Sequence, residues 1–146
     1  MKKLFIYYSF TGNGDLVAKK LNKSCDIRKV KVKKELPKSF FLQMMVGGFR
    51  ALINYKDKLV DFDNNIEKYD EIIIGSPIWS DRLSTPIATV LNNLNLNNKK
   101  VTFILYSGGG QAQTAVNFIK DNYSKASIIQ LKQPLNNKEE LDKLNI

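Results

Sequence analysis

The stretch Leu4-Phe5-Ile6-Tyr7-Tyr8-Ser9-Phe10-Thr11-Gly12-Asn13-Gly14-Asp15-Leu16-Val17-Ala18-Lys19-Lys20 decides how the rest of the chain is read. A short apolar run, Leu4 to Tyr8, gives way at once to small and polar residues, and Leu16, Val17, Lys20 and Leu21 then recur at helical spacing. This is strand, small-residue loop and helix start in immediate succession. The first N–H groups of such a helix have no partner inside it and can point at an anion lying on the helix end. Ser9 and Thr11 add two hydroxyls. The loop carries no Lys or Arg, so it would hold a phosphate through dipoles rather than a salt bridge. The residues also fit a plain strand-to-helix turn capped by Thr11 or Asn13. Neither GxxxxGK[ST] nor GxGxxG is present, which argues against nucleotide hydrolysis and a standard dinucleotide fold.

At 146 residues the chain has room for one domain, residues 1–146, with a single core. No apolar run approaches the length of a membrane crossing, the N-terminus leads directly into a strand, and a cytoplasmic protein without membrane contact is expected. Cys25 is the only cysteine, so an internal disulfide is impossible, and its place between a helix and a strand reads as buried filler. The absence of histidine removes the commonest metal ligand and the usual neutral-pH base, which weakens zinc-hydrolase and Ser-His-Asp readings. The net charge of +9 is uneven: residues 1–60 hold fourteen Lys/Arg against four Asp/Glu, residues 61–146 nine against ten. Such a basic half steers acidic partners. The cations are nearly all lysine, whereas bidentate base contacts call for arginine, so nucleic acid is not the expected partner.

Further along, Ile27 to Val32 alternates apolar and basic residues, as an edge strand or one with a wet face would. Glu35 to Lys58 reads as a helix weakened at Gly47-Gly48, its Phe and Met residues assigned to the core, with a pocket wall as the alternative. A short helix is expected to end over Ile66 to Asp70, followed by a buried strand, Glu71 to Gly75, and the loop Ser76 to Ser84. Pro86 sits at a helix start. Val101 to Tyr106 repeats the strand pattern and opens into Gly108-Gly109-Gly110 and a helix from about Gln111 to Tyr123. Ala126 to Leu131 is a last strand, and Asn137 with Glu140 has capping-box spacing for a short terminal helix. Strands alternating with helices require a mostly parallel sheet covered on both faces, with ligands beyond the carboxyl ends of the strands. Three unusual loops fall at those ends: Ser9–Gly14, Ser76–Ser84 and Ser107–Gln111. Trp79, the sole tryptophan, lies in the second loop and offers a flat ring, either for stacking or as an apolar plug. A phosphate site, an aromatic ring and a glycine-rich backbone together suit flavin mononucleotide (FMN).

These residues resemble the flavodoxin family in its short form, and the resemblance spans essentially the whole chain. Its most specific part is Ser9-Phe10-Thr11-Gly12-Asn13, similar to the family's phosphate loop; Gly14 stands where the family usually has a hydroxyl residue. Gly75-Ser76-Pro77-Ile78-Trp79 is similar to the second flavin loop and Ser107 to Gln111 to the third, with Tyr106 the nearest aromatic there. The resemblance implies an α/β fold, a doubly wound five-stranded parallel sheet of order 2-1-3-4-5 with helices on both faces. It implies bound FMN held by Ser9, Phe10, Thr11, Gly12, Asn13, Gly14, Ser76, Pro77, Ile78, Trp79, Ser80, Asp81, Ser107, Gly108, Gly109 and Gly110. It implies electron transfer between redox protein partners, an acidic reductase or acceptor among them, by a monomer. A small FMN-dependent NAD(P)H oxidoreductase or quinone reductase, or a flavin-free interaction module, would use the same fold, so enzyme status stays open. Family members are acidic at the flavin edge; with a basic chain, Arg82 near the ring would raise its potential and Asp81 would lower it.

Overall fold

The computed structural model describes the backbone of residues 1–146 and every side chain except that of Phe40. The elements run β1 (Lys3–Tyr7), α1 (Asn13–Leu21), β2 (Asp26–Lys29), α2 (Phe40–Leu52), β3 (Glu71–Trp79), β4 (Arg82–Leu83), α3 (Thr85–Asn93), β5 (Lys100–Ser107), α4 (Gln113–Asn122), β6 (Ser127–Lys132) and a 3₁₀ helix (Lys138–Lys143). The main strands order β2-β1-β3-β5-β6, all parallel, with the short β4 paired antiparallel to β3. Counting only the five parallel strands, this is the expected order 2-1-3-4-5. The order reverses direction between β1 and β3, which places their carboxyl ends side by side.

Alternating side chains of the central strands divide into two cores. Leu4, Ile6, Ile72, Ile74, Phe103 and Leu105 face Ile87 and Val90 of α3 and Val116 and Ile119 of α4. Phe5, Tyr7, Ile73, Ile104 and Tyr106 face Val17 and Leu21 of α1 and Leu144 beyond the 3₁₀ helix. Burial on both faces explains why these strands read as continuous apolar runs. At the opposite end of the sheet, buried Glu71 takes Lys3 of β1 at 3.6 Å, Lys100 of β5 at 3.5 Å and the Thr102 hydroxyl at 3.3 Å. One carboxylate thus ties the amino ends of three neighbouring strands. Cys25 is buried on the α1 side, and burial pushes its thiol up, away from the reactive thiolate.

Several boundaries differ from the sequence pattern. β2 ends at Lys29, and Val32 instead bridges Leu59 in an antiparallel pair. Ile66 to Asp70 is a turn rather than a helix end. β3 runs on through Ser76, Pro77 and Ile78 to Trp79, because Ile78 and Trp79 pair with Leu83 and Arg82. The expected second loop is therefore a tight hairpin. The Asn137–Glu140 capping box does not form: Glu140 Oε2 accepts the Lys132 N–H at 2.9 Å, and Asn137 Nδ2 donates to Lys132 O at 2.9 Å. Both side chains reach back to β6.

The largest departure concerns α2. It is continuous through Gly47-Gly48, yet Phe41, Met44, Phe49 and Leu52 are each more than half exposed, so the core assignment of its apolar residues is overturned. Its buried side is instead small or ionic. Ala51 is buried, and the Arg50 guanidinium lies 3.6 Å from Oδ1 of Asp57, whose side chain is 1% exposed. Neither Asp57 oxygen completes a hydrogen bond among the described residues. Burial pushes the Asp57 carboxyl above its ordinary value of 3.8, with the Thr85 hydroxyl and Arg50 pulling it partly back. A folded-state value above the unfolded one means that the native state binds the extra proton, so stability falls as pH rises from 3.8 through the raised value. Asp57→Asn is expected to flatten that slope in urea-unfolding midpoints taken across the acid range; an unchanged slope would contradict it. Gly75→Ala is expected to destabilise by about 1–3 kcal/mol, since an added Cβ would lie 2.6 Å from Phe5 and 2.9 Å from Tyr7; urea unfolding measures it.

Candidate functional site

The loop after β1 is built on Ser9. Its Oγ accepts the N–H of Gly14 at 3.0 Å and of Asp15 at 3.3 Å, so Ser9, rather than Thr11 or Asn13, caps the first turn of α1. As acceptor of both, the hydroxyl keeps its own proton free to donate. Gly12 supplies the left-handed turn into the helix at φ 101°. Thr11 Oγ1 accepts from Asn13 Nδ2 at 3.3 Å and likewise retains its proton. Among the described residues, the backbone N–H groups of Phe10, Thr11, Gly12 and Asn13 donate to nothing. They cluster at the positive end of α1.

Gly14 is enforced from below. A Cβ there would lie 2.5 Å from Tyr106 Oη, 2.8 Å from Ser9 Cβ and 2.9 Å from the Tyr7 ring. Tyr106 reaches from β5 past β3 to donate its hydroxyl to the carbonyl of Tyr8, at the end of β1. It is 2% exposed and points into the sheet, so it is not an aromatic lid on the third loop. Burial pushes its hydroxyl up and keeps it a donor. The missing hydroxyl at position 14 and the tyrosine at 106 are two sides of one packing arrangement.

The second loop turns at Ser80 and Asp81, both with positive φ (49° and 62°), the geometry of a two-residue hairpin turn. Neither is glycine, and the turn is held from outside. The Asp81 carboxylate accepts the Thr114 N–H at 2.9 Å, and its carbonyl accepts the Ala115 N–H at 2.9 Å, both at the start of α4. The Thr114 hydroxyl and N–H hold the Asp81 carboxyl below its ordinary value. The guanidinium of Arg82 donates to the Ser80 carbonyl at 3.0 Å. Ser76 is buried and bonded to Ser84, its Oγ accepting the Ser84 N–H at 3.0 Å and donating to Pro77 O at 2.7 Å. Trp79 is half-buried, its ring edge-on to Tyr8 at 5.9 Å. α2 lies directly against this hairpin: a Cβ on Gly47 would come within 3.3 Å of the Trp79 indole, and one on Gly48 within 2.7 Å of Ser80 Oγ. The Gly-Gly pair is thus a contact surface within an unbroken helix.

In the third loop, Ser107 Oγ accepts the Gly110 N–H at 2.9 Å, and Gly109 has nothing within 4 Å of where a side chain would begin. Its backbone is open. A segment that sequence reasoning missed joins the first and third loops. Gln133 donates its N–H to Ser107 O at 3.0 Å, and Leu135 donates its own to Asn13 Oδ1 at 3.0 Å. The Gln133-Pro134 step after β6 was the available turn signal. The structure therefore brings Phe10 to Asn13, Trp79, Ser80 and Gly108 to Gly110 to adjacent strand ends. It turns Ser76 inward and commits Asp81 to α4. A groove of about 340 Å³ lies behind the hairpin, between the end of α2, α3 and α4.

The family model described as flavodoxin matches residues 2–145. The chain belongs to the flavodoxin family. A flavoprotein of Lactobacillus acidophilus, solved in complex with FMN, is 25% identical, with 94% of this chain and 97% of that one covered and a TM-score of 0.67. A candidate flavoprotein of Bacteroides eggerthii is 21% identical at a TM-score of 0.72, covering 99% of this chain and 98% of that one. Oxidised flavodoxin 1 of Bacillus cereus aligns over 100% of both chains at 14% identity and a TM-score of 0.50. The last two show the shared fold. No curated protein matches the sequence.

The packing at Gly14 makes a direct test possible. Gly14→Ala is expected to destabilise by about 1–3 kcal/mol, and the same change in a Tyr106→Phe background by less, because the nearest obstructing atom is gone. Urea unfolding of the four-member cycle measures the coupling; singles that add within about 0.5 kcal/mol would contradict the contact.

Proposed function

We propose that this flavodoxin-family chain binds FMN at the carboxyl ends of β1, β3 and β5 and carries electrons between redox protein partners. The observation that carries the reading is the set of unpartnered N–H groups at Phe10, Thr11, Gly12 and Asn13, beside the free protons of Ser9 and Thr11. A phosphate monoester accepts all of these without a cation. The partly exposed Trp79 and the open backbone at Gly109 fit a flat ring system with a polar edge. The Lactobacillus acidophilus flavoprotein solved with FMN is consistent with that fit.

In this reading Phe10 to Asn13 hold the phosphate, Ser9 and Thr11 donate to it, and Trp79 covers part of the ring. The bound flavin supplies the redox chemistry, and the protein positions it and sets its surroundings. Asp81 keeps the hairpin fixed against α4, so the Ser80–Asp81 turn is presented in one shape. Arg82 occupies the Ser80 carbonyl. The basic half, residues 1–60, favours an acidic redox protein as partner.

Equilibrium titration followed by flavin fluorescence tests the reading. FMN is expected to bind at about one per chain, and riboflavin, which lacks the phosphate, at least about tenfold more weakly, the worth of one charge-assisted hydrogen bond. Trp79→Ala is expected to weaken FMN by about three- to tenfold. Equal affinity for riboflavin would remove the phosphate site, and no retained flavin would favour an interaction module. Turnover of NAD(P)H by the purified holoprotein, without a reductase, would favour the oxidoreductase alternative.

A further inference from the structure

The outer face of α2 has no counterpart in the flavin reading. Phe41, Met45, Phe49 and Leu52 recur at i, i+4, i+8 and i+11, one continuous stripe, and Leu42 and Ile53 widen it. All six are exposed, Phe41 to 68% and Phe49 to 61%. The helix is held to the protein by its other side, through Gly47, Ala51 and the Arg50–Asp57 pair, while Gly48, at the edge of the stripe, meets Ser80 of the hairpin. The stripe therefore projects outward on a fixed support. A patch of this kind marks an interaction surface.

Its rim is cationic. Lys33, Lys34 and Lys38 precede the helix and Lys56 and Lys58 follow it; all are exposed, and none is in a salt bridge among the described residues. The two flanks are joined: Lys33 donates its N–H to Lys58 O at 2.9 Å, and Val60 donates its own to Lys31 O at 2.8 Å. Lysines from both sides of the helix thus share one border. Between Lys31 and Lys58 the acids are Glu35 and Asp57 alone. Glu35 accepts the Tyr8 hydroxyl, and Asp57 is buried against Arg50.

We infer that this face is an interfacial docking surface for an anionic lipid bilayer, with the apolar stripe entering the headgroup–acyl boundary and the lysines resting on the headgroups. A second copy of the chain would bring two cationic rims together. A protein partner needs roughly one hydrogen bond per 100–200 Å² of interface, and the stripe offers no side-chain donor or acceptor. A bilayer asks for what is present: an apolar helix face lying in the surface plane and cations beside it. Among the described residues, no helix is long and apolar enough to cross a membrane, so the contact is peripheral.

The test is co-sedimentation of the full chain with phosphatidylcholine vesicles, with and without phosphatidylserine, at low and high salt. Binding is expected only with phosphatidylserine and is expected to weaken as salt rises. Phe41→Ser with Phe49→Ser should reduce it by about tenfold per phenylalanine. Lys33→Gln with Lys34→Gln and Lys38→Gln should reduce it by about fivefold per lysine. All these positions are exposed, and circular dichroism verifies that each variant is folded. Wild-type protein left in the supernatant with both vesicle types would overturn the proposal, as would a phenylalanine variant that binds like wild type. A dimer by light scattering that the phenylalanine variant converts to monomer, with no vesicle binding, would assign the face to a second copy.

Discussion

The hydrogen bond from the Tyr106 hydroxyl to the Tyr8 carbonyl is the contact around which the candidate site is arranged. It joins β5 to β1 past the intervening β3, at the level where the chain leaves the sheet for its first loop. A buried carbonyl at a strand end needs a donor, and the tyrosine supplies one from the neighbouring core. Its hydroxyl then occupies the space beneath the helix start, so position 14 can hold only hydrogen. With no side chain at Gly14, Ser9 caps the first turn of α1, and the N–H groups of residues 10–13 are left without partners among the described residues. The geometry of the loop follows from one aromatic side chain ninety-two residues further along the chain than Gly14.

The second loop obeys the same logic, since it is shaped by what it rests on. A two-residue turn with both φ values positive and no glycine is unfavourable by about 1 kcal/mol per residue. It persists because Asp81 is bonded at both its carboxylate and its carbonyl to the start of α4. On the other flank, α2 approaches closely enough to touch Trp79 and Ser80 only because two glycines face them. α2 is therefore packed against the hairpin of the candidate site and a projecting apolar surface at once. The Arg50–Asp57 pair holds it in place, a buried ionic contact under an exposed hydrophobic face. This inverts the usual distribution of a surface helix.

The parts of this fold legible in the sequence were those governed by local pattern. β1, β3 and β5 announce themselves as apolar runs because both their faces are covered, and the strand-to-helix loop after β1 follows from small residues between a strand and a helix. What could not be read were choices made by distant residues. The apolar content of α2 pointed to the core, whereas Gly47, Ala51 and the Arg50–Asp57 pair take its inner side and leave the phenylalanines outside. Residues Ser76 to Trp79 looked like loop because of the serine and proline, but pairing with Arg82 and Leu83 extends the strand. Asn137 and Glu140 had the spacing of a cap and were recruited by the backbone of Lys132 and Gln133 instead. For the tie between Asn13 and Leu135, the Gln133-Pro134 step marks a turn but not the residue it reaches.

Flavin binding in this reading depends on the unpartnered amides at the start of α1 receiving a phosphate. The most direct measurement is the set of backbone amide resonances of Phe10, Thr11, Gly12 and Asn13 during titration with FMN and, separately, with riboflavin. Large downfield shifts of these resonances are expected with FMN and little change with riboflavin, while residues of the hairpin around Trp79 respond to both. Identical responses of the Phe10–Asn13 amides to the two ligands, or none to either, would contradict it.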